Sequence, residues 1–174
     1  MTTTRRFVCD DLFRFNNVNL DPLTETYNLS FYLQYLARWP NYCETAESTT
    51  GRLMGYILGK DEGNNSDYHG HVTALTVSPE FRRLGLADKF MAQLERLSEQ
   101  NKCYFVDLFV RKSNEVAINM YRKFGYIVYR TVLNYYSGVE EEDAYDMRKA
   151  LSRDVDKLSV IPLTHPVNPE DVLP

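Results

Sequence analysis

Apolar side chains recur at Leu84, Ala87, Phe90, Met91, Leu94 and Leu97, the spacing of one face of a helix, and they predict a helix over 84–100. Residues 70–77 just before it read as a β-strand. Tyr104 to Val110, just after it, is nearly continuous in apolar character, as expected for a strand covered on both faces. The unit 70–110 is therefore strand–helix–strand, with the second strand predicted over 103–110. Upstream, the pattern predicts a short strand over 5–8, a helix starting near Asp10, a polar loop over 19–28, and a helix over 30–39 stopped by Pro40. Strands follow over 41–47 and 52–59, joined around Ser48 to Gly51, with a hydrophilic turn from Asp61 to Asp67. Downstream, a helix over 114–124 is expected to bury Val116, Ala117, Met120 and Phe124. Ser113 or Asn114 suits its N-cap and Gly125 its C-terminal stop. Strands over 126–134 and 143–150 complete the pattern.

Between the strand and the helix of the central unit lies Val77-Ser78-Pro79-Glu80-Phe81-Arg82-Arg83-Leu84-Gly85-Leu86-Ala87. A strand, a turn with two arginines and a glycine, and then a helix N-terminus make an anion site. The first-turn N–H groups lack intrahelical partners, and the helix dipole adds positive charge at the same place. Gly85 lets a pyrophosphate approach the backbone with no Cβ in the way, and Arg82 and Arg83 supply charged forks.

These residues also carry a resemblance. Arg82-x-x-Gly85-x-Ala87 resembles the acetyl-CoA pyrophosphate loop of the Gcn5-related N-acetyltransferase (GNAT) family. Asn114-x-x-Ala117-x-x-x-Tyr121-x-x-x-Gly125-Tyr126 resembles the family's second cofactor motif, in the expected order. Tyr135-Tyr136 with Glu142 to Met147 narrows the likeness to protein N-terminal acetyltransferases. Leu12 to Asn16 and Asp21 to Tyr27 are most similar to the NatB type, and the likeness spans the whole chain.

The resemblance implies an α/β GNAT fold: a single mixed, mostly antiparallel sheet with a central parallel strand pair and flanking helices. It implies acetyl-CoA as cosubstrate, held by Leu75, Thr76, Val77, Arg82, Arg83, Gly85, Leu86, Ala87, Asn114 and Tyr121. Tyr121 is implied as the general acid that returns a proton to the coenzyme thiolate. Asn114 stays open between capping its helix, binding coenzyme and doing both. The implied substrates are nascent protein N-termini beginning Met-Asp, Met-Glu, Met-Asn or Met-Gln. The implied partner is a large auxiliary NatB subunit of helical repeats, associated with the ribosome.

An N-terminal amine suits this chemistry. Its ordinary pKa near 8 leaves a neutral fraction at pH 7, whereas a lysine at about 10.4 needs far more help. Proximity then supplies much of the acceleration. Glu25 is a candidate to hold the ammonium or accept its proton through water. Tyr27, Tyr135 and Tyr136 are candidate walls for the initiator Met, since aromatic surface and thioether sulfur attract. His71 and Thr73 share one strand face and are candidates to hydrogen-bond the second residue. His71 remains open as selectivity group, general base or core histidine. His69-Gly70-His71 shows no evident third ligand, so no metal is expected.

Composition narrows the setting. A length of 174 residues predicts one domain, 1–157, with a tail over 158–174 that holds four of the seven prolines. That tail reads either as frayed or as an extended arm on a partner through Val160, Ile161, Leu163 and Val167. Cys9, Cys43 and Cys103 are scattered, which fits a reducing compartment. With no signal peptide or membrane span evident, a cytoplasmic protein is expected. From Ser137 on, nine acidic residues face four basic ones, a net of −5 within a total of −4, so the body stands at +1. A near-neutral body argues against direct nucleic-acid binding. Two rival readings are an acyltransferase acting on lysine or a small amine, and a non-catalytic acyl-CoA-binding scaffold. Tyr121 argues against the scaffold. Glu25, Tyr27, Tyr135 and Tyr136 argue against the small amine.

Overall fold

A computed structural model describes residues 2–138 and 141–172. Its seven strands are β1 (Thr3–Arg6), β2 (Cys43–Glu47), β3 (Leu53–Glu62), β4 (His69–Val77), β5 (Phe105–Arg111), β6 (Ile127–Tyr136) and β7 (Glu142–Ala150). The helices are α1 (Leu29–Arg38), α2 (Leu86–Gln100) and α3 (Glu115–Lys123). The strands form one mixed sheet in the order β1-β2-β3-β4-β5-β7-β6, with β4 and β5 the parallel pair, which is the α/β fold the resemblance implies. The chain divides into two compact units, 1–61 with 72–97, and 62–71 with 98–174.

The first unit is built on aromatic packing. Phe7, Val18, Tyr32, Tyr35, Cys43, Leu53, Tyr56 and Leu58 are buried together. Phe15 meets Phe7, Tyr32 and Tyr56 with ring centroids 5.3–6.0 Å apart. The expected helix near Asp10 is instead a 3₁₀ turn, Cys9–Phe13. Asn28 caps α1 by accepting from the Phe31 N–H at 2.9 Å, and Pro40 follows its end. In α2 the stripe Leu86, Phe90, Met91 and Leu94 is buried, while Leu84 is 58% exposed and lies outside the helix. The apolar period thus starts two residues later than the sequence pattern suggested, because the turn with Arg83 and Gly85 at positive φ precedes it.

In the second unit β5, β7 and β6 are antiparallel neighbours. The face α3 buries differs from the expected one. Ile118 and Tyr121 are buried and Val116 is 84% exposed, since 114, 117, 118 and 121 share a helical face and 116 does not. Gly125 stops the helix at φ +92°. The tail is not frayed over 163–167. Leu163 N–H donates to the Tyr129 carbonyl (2.8 Å), Val167 N–H to Thr131 (3.0 Å), and Leu133 N–H returns to Val167 (2.9 Å). It lies along β6 of its own chain, as its backbone donors find partners on that edge strand. Residues 173–174 lie outside the described residues.

Candidate active site

The first unit carries the turn between β4 and α2. Gly85 has φ +75°, and a Cβ built there would meet nothing within 4 Å, so the backbone faces open space. Arg83 also adopts a left-handed conformation, φ 64°. The first α2 amide to find a carbonyl four residues back is that of Lys89, bonded to Gly85 at 3.1 Å. The amides of Leu86, Ala87 and Asp88 therefore stand at a positive helix end without intrahelical partners. An open glycine, free amides and two exposed arginines fit a pyrophosphate. Arg82 already has an anionic neighbour: its guanidinium donates to Asp21 at 2.5 Å and to the Val77 carbonyl at 3.2 Å. That contact holds the Asp21 carboxyl below its ordinary range.

Upstream of the turn, Thr76 is buried, with its hydroxyl 3.1 Å from that of Thr24 and 3.4 Å from the Val18 carbonyl. Leu75 and Val77 are half-buried on the same strand. Tyr27 stacks on Phe31 (4.1 Å, 17°), and its hydroxyl donates to the Thr73 carbonyl at 3.4 Å. Thr73 in turn donates to the Tyr35 hydroxyl at 2.8 Å. Glu25, half-buried, lies two residues before Tyr27 in the same loop. The structure therefore joins the loop 21–27 to both ends of the 73–82 segment, at Thr73 and at Arg82. It adds Tyr35, which sequence reasoning missed because a buried helical tyrosine carries no motif.

The second unit carries Tyr121, Asn114, His71, Tyr135 and Tyr136. Tyr121 is 7% exposed on α3, and burial raises its phenol above the ordinary range, so it stays a donor. Asn114 accepts from the Ala117 N–H at 3.2 Å through Oδ1, so it caps α3 and keeps its amide hydrogens for another partner. Tyr135 stacks on Phe109 at 4.7 Å. Tyr136 donates to the Phe109 carbonyl at 3.2 Å and lies under Arg111 at 4.2 Å, so its hydroxyl is committed within the sheet.

His71 sits on β4 with Nδ1 2.8 Å from Asp107 Oδ1. His69 Nε2 is 3.6 Å from the other oxygen of the same carboxylate. Burial would raise the Asp107 carboxyl, but the charge and hydrogen bond of His71, then His69 and Arg148, hold it down at about 2. Among the described residues no three His, Cys, Asp or Glu form a metal-holding cluster. Behind Asp107 lies a buried charged group: Asp146, with Arg130 at 2.8 Å and Arg148 at 3.3 Å. Burial, then Asp107, pushes the Asp146 carboxyl up against those arginines. Sequence reasoning missed this group as well.

A mixed sheet with a phosphate-ready turn after the parallel strand and a buried tyrosine on the following helix defines an acyl-CoA-dependent transferase. Residues 9–126 match the acetyltransferase (GNAT) family, and the chain belongs to it. Within that family it groups with NatB catalytic subunits. It is 66% identical to N-alpha-acetyltransferase 20 of Dictyostelium discoideum, over 98% of each chain. It is 63% identical to the N-terminal acetyltransferase B complex catalytic subunit NAA20 of Arabidopsis thaliana, over 99% of this chain and 98% of that one. Among solved structures it is similar to Chaetomium thermophilum Naa20 in complex with a bisubstrate analogue. The TM-score is 0.94 and the identity 42%, over 99% of this chain and 100% of that one. No helix among the described residues is long and apolar enough to cross a membrane.

Proposed function

We propose that the chain transfers an acetyl group from acetyl-CoA to the N-terminal α-amino group of proteins beginning Met-Asp, Met-Glu, Met-Asn or Met-Gln. It does so as the catalytic subunit of a NatB-type complex, co-translationally and in the cytoplasm, with residues 1–157 as the transferase domain. The observation that carries this reading is the end-to-end likeness to Naa20. The partner is the auxiliary subunit that a complex of this type contains.

Acetyl-CoA supplies the activated acetyl thioester. The α2 amides, Gly85, Arg82 and Arg83 hold its pyrophosphate, and Asn114 adds its free amide hydrogens. Glu25 receives the substrate ammonium and accepts its proton through water, which frees the amine lone pair to attack the acetyl carbon. As the carbon–sulfur bond breaks, Tyr121 donates its phenolic hydrogen to the departing sulfur, and the second amine proton, released from nitrogen as the amide forms, returns through water to the phenolate. Its burial suits that role, because the proton is not lost to solvent at working pH. Tyr27 and Tyr135 offer aromatic surface to the initiator Met. His71 and Thr73 offer polar atoms to the second side chain.

The test is a panel of short peptides differing in their first two residues, incubated with acetyl-CoA, with and without the auxiliary subunit, and followed by mass spectrometry. Acetylation confined to the α-amine of Met-Asp, Met-Glu, Met-Asn and Met-Gln peptides is expected. Preference for internal lysine, or indifference to the second residue, sinks the reading.

A further inference from the structure

We propose that Asp107 is a specificity-determining positioning residue: by accepting the Nδ1 hydrogen of His71 it leaves Nε2 as the recognition atom. The choice between a carboxylate and an amide on the second substrate residue then follows the protonation of His71. This rests on the reading that His71 meets that side chain.

The argument begins with what a carboxylate is able to do. Ionised, it only accepts. Asp107 is buried on β5 with one oxygen 2.8 Å from His71 Nδ1, so that nitrogen carries a hydrogen. The surroundings fix the ring further. Phe109 lies 5.6 Å away at 50°, and Tyr135 backs Phe109. The titratable and charged groups around the pair are His69 on β4, Arg148 and Asp146 on β7, and Arg130 on β6. Asp146 takes both arginines at 2.8 and 3.3 Å, which leaves Asp107 to the histidines. His69 has its own anchors, the Asp67 carbonyl and Glu62, and stacks on Phe105 at 4.6 Å.

With Nδ1–H spoken for, the two states of His71 differ at Nε2 alone. Neutral, Nε2 presents a lone pair, which accepts from the NH₂ of Asn or Gln and repels a carboxylate. Protonated, Nε2–H donates to a carboxylate oxygen or to an amide carbonyl. Amide substrates are therefore served by both states, and acidic substrates by the imidazolium only.

The experiment measures kcat/KM, which reports the free enzyme's ionisation, for Met-Asp, Met-Asn and Met-Leu peptides from pH 6 to pH 9. It uses the full chain as wild type, Asp107→Asn and His71→Ala. Ratios between peptides cancel the shared titration of the α-amine. The wild-type Met-Asp to Met-Asn ratio is expected to fall at least about tenfold across that range, since a neutral site leaves a buried carboxylate unpaired. In Asp107→Asn the fall is expected at lower pH, because a neutral amide no longer favours the imidazolium. Nitrogen-15 spectra of wild-type His71 are expected to show the Nδ1–H tautomer at high pH. A wild-type ratio flat with pH, or an Nε2–H tautomer, overturns the proposal, and neither needs the variant to fold. If the ratio is flat while His71→Ala still abolishes discrimination, His71 reads the substrate by another route. If His71→Ala leaves every ratio unchanged, the underlying reading of His71 fails instead.

Discussion

Thr73 donates its hydroxyl hydrogen to the Tyr35 hydroxyl across 2.8 Å. A threonine has one hydrogen to give, so in this arrangement it offers only lone pairs to a third group. Tyr35 is itself fixed on α1 between Phe31 and Trp39, with centroids at 4.7 and 5.2 Å. Tyr35→Phe keeps the ring and releases the Thr73 hydrogen. The expected outcome is a rise in kcat/KM for Met-Asp relative to Met-Asn peptides of roughly 3–10-fold, the value of one hydrogen bond. An unchanged ratio removes Thr73 from selection of the second residue.

The elements were legible where the side chains repeat at a fixed period, and errors arose where backbone conformation or strand register decides. Leu84 fits the α2 period but falls in a turn made by Arg83 and Gly85 at positive φ. Val116 is apolar yet sits about half a turn from the face that buries Ile118 and Tyr121. The turn at Arg82 to Ala87 and Tyr121 carry local motifs, so sequence alone could single them out as candidates. Asp107, Asp146, Arg130 and Arg148 were not. They meet because Asp107 stands opposite Arg148, and Arg130 opposite Asp146, across three strands. Register of that kind is a tertiary fact. The course of residues 163–167 was unreadable for a similar reason: the strand they follow, β6, lies about thirty residues away in sequence.

In the proposed site Gly85 meets the coenzyme through its backbone. A Cβ there meets no atom beyond its chain neighbours within 4 Å, so the main cost of substitution is the left-handed backbone, about 1–2 kcal/mol. The clash falls on the ligand. Gly85→Val is expected to lower the melting temperature by a few degrees, about 2–4 °C per kcal/mol, and to abolish detectable acetyl-CoA binding. Calorimetry on the folded variant decides, and unaltered affinity contradicts the assignment.

The tail covers an edge. Deleting residues 162–174 removes the Leu163 and Val167 contacts and bares the β6 backbone around Tyr129 to Leu133. An uncovered edge strand pairs with other chains. Light scattering is expected to show concentration-dependent association of the truncated chain and none of the full chain. A monodisperse truncated protein argues that β6 needs no cover.

Asp11 is a buried carboxylate in the first unit, 1% exposed, gripped by Arg5 at 2.7 and 2.8 Å and by the Val8 N–H at 2.9 Å. Burial would raise its carboxyl, but the Arg5 hydrogen bonds and the Val8 N–H hold it below the ordinary value. A carboxyl lowered on folding stabilises above its unfolded value, near 3.9, and that stability is lost as pH falls through the folded value. Asp11→Asn is expected to cost about 1–3 kcal/mol at pH 7, with Arg5 partly solvated. The gap from wild type closes below about pH 4. Urea titrations at pH 7 and pH 3 check this; an equal gap at both contradicts it.

Tyr121 is buried on α3, and its phenol is raised above its ordinary value by that burial. An acid so shifted keeps its proton as pH rises, and loses it only beyond the ordinary value near 10. A general acid of this kind imposes no basic limb on the rate between pH 7 and pH 9.5. With Met-Asn peptides, which both states of His71 serve, the single titration expected there is the gain of neutral substrate amine near pH 8, so kcat/KM should rise and then level. Tyr121→Phe keeps the ring and deletes the donor. Turnover is expected to fall about 10²–10⁴-fold, with acetyl-CoA affinity unchanged, since the pyrophosphate is held elsewhere. The pH profile and single-turnover rates of both proteins test the two halves separately. A basic limb near pH 9 that vanishes in Tyr121→Phe would mean the phenol ionises in the working range and serves as a base. Wild-type turnover in the variant would take it out of the proton path altogether.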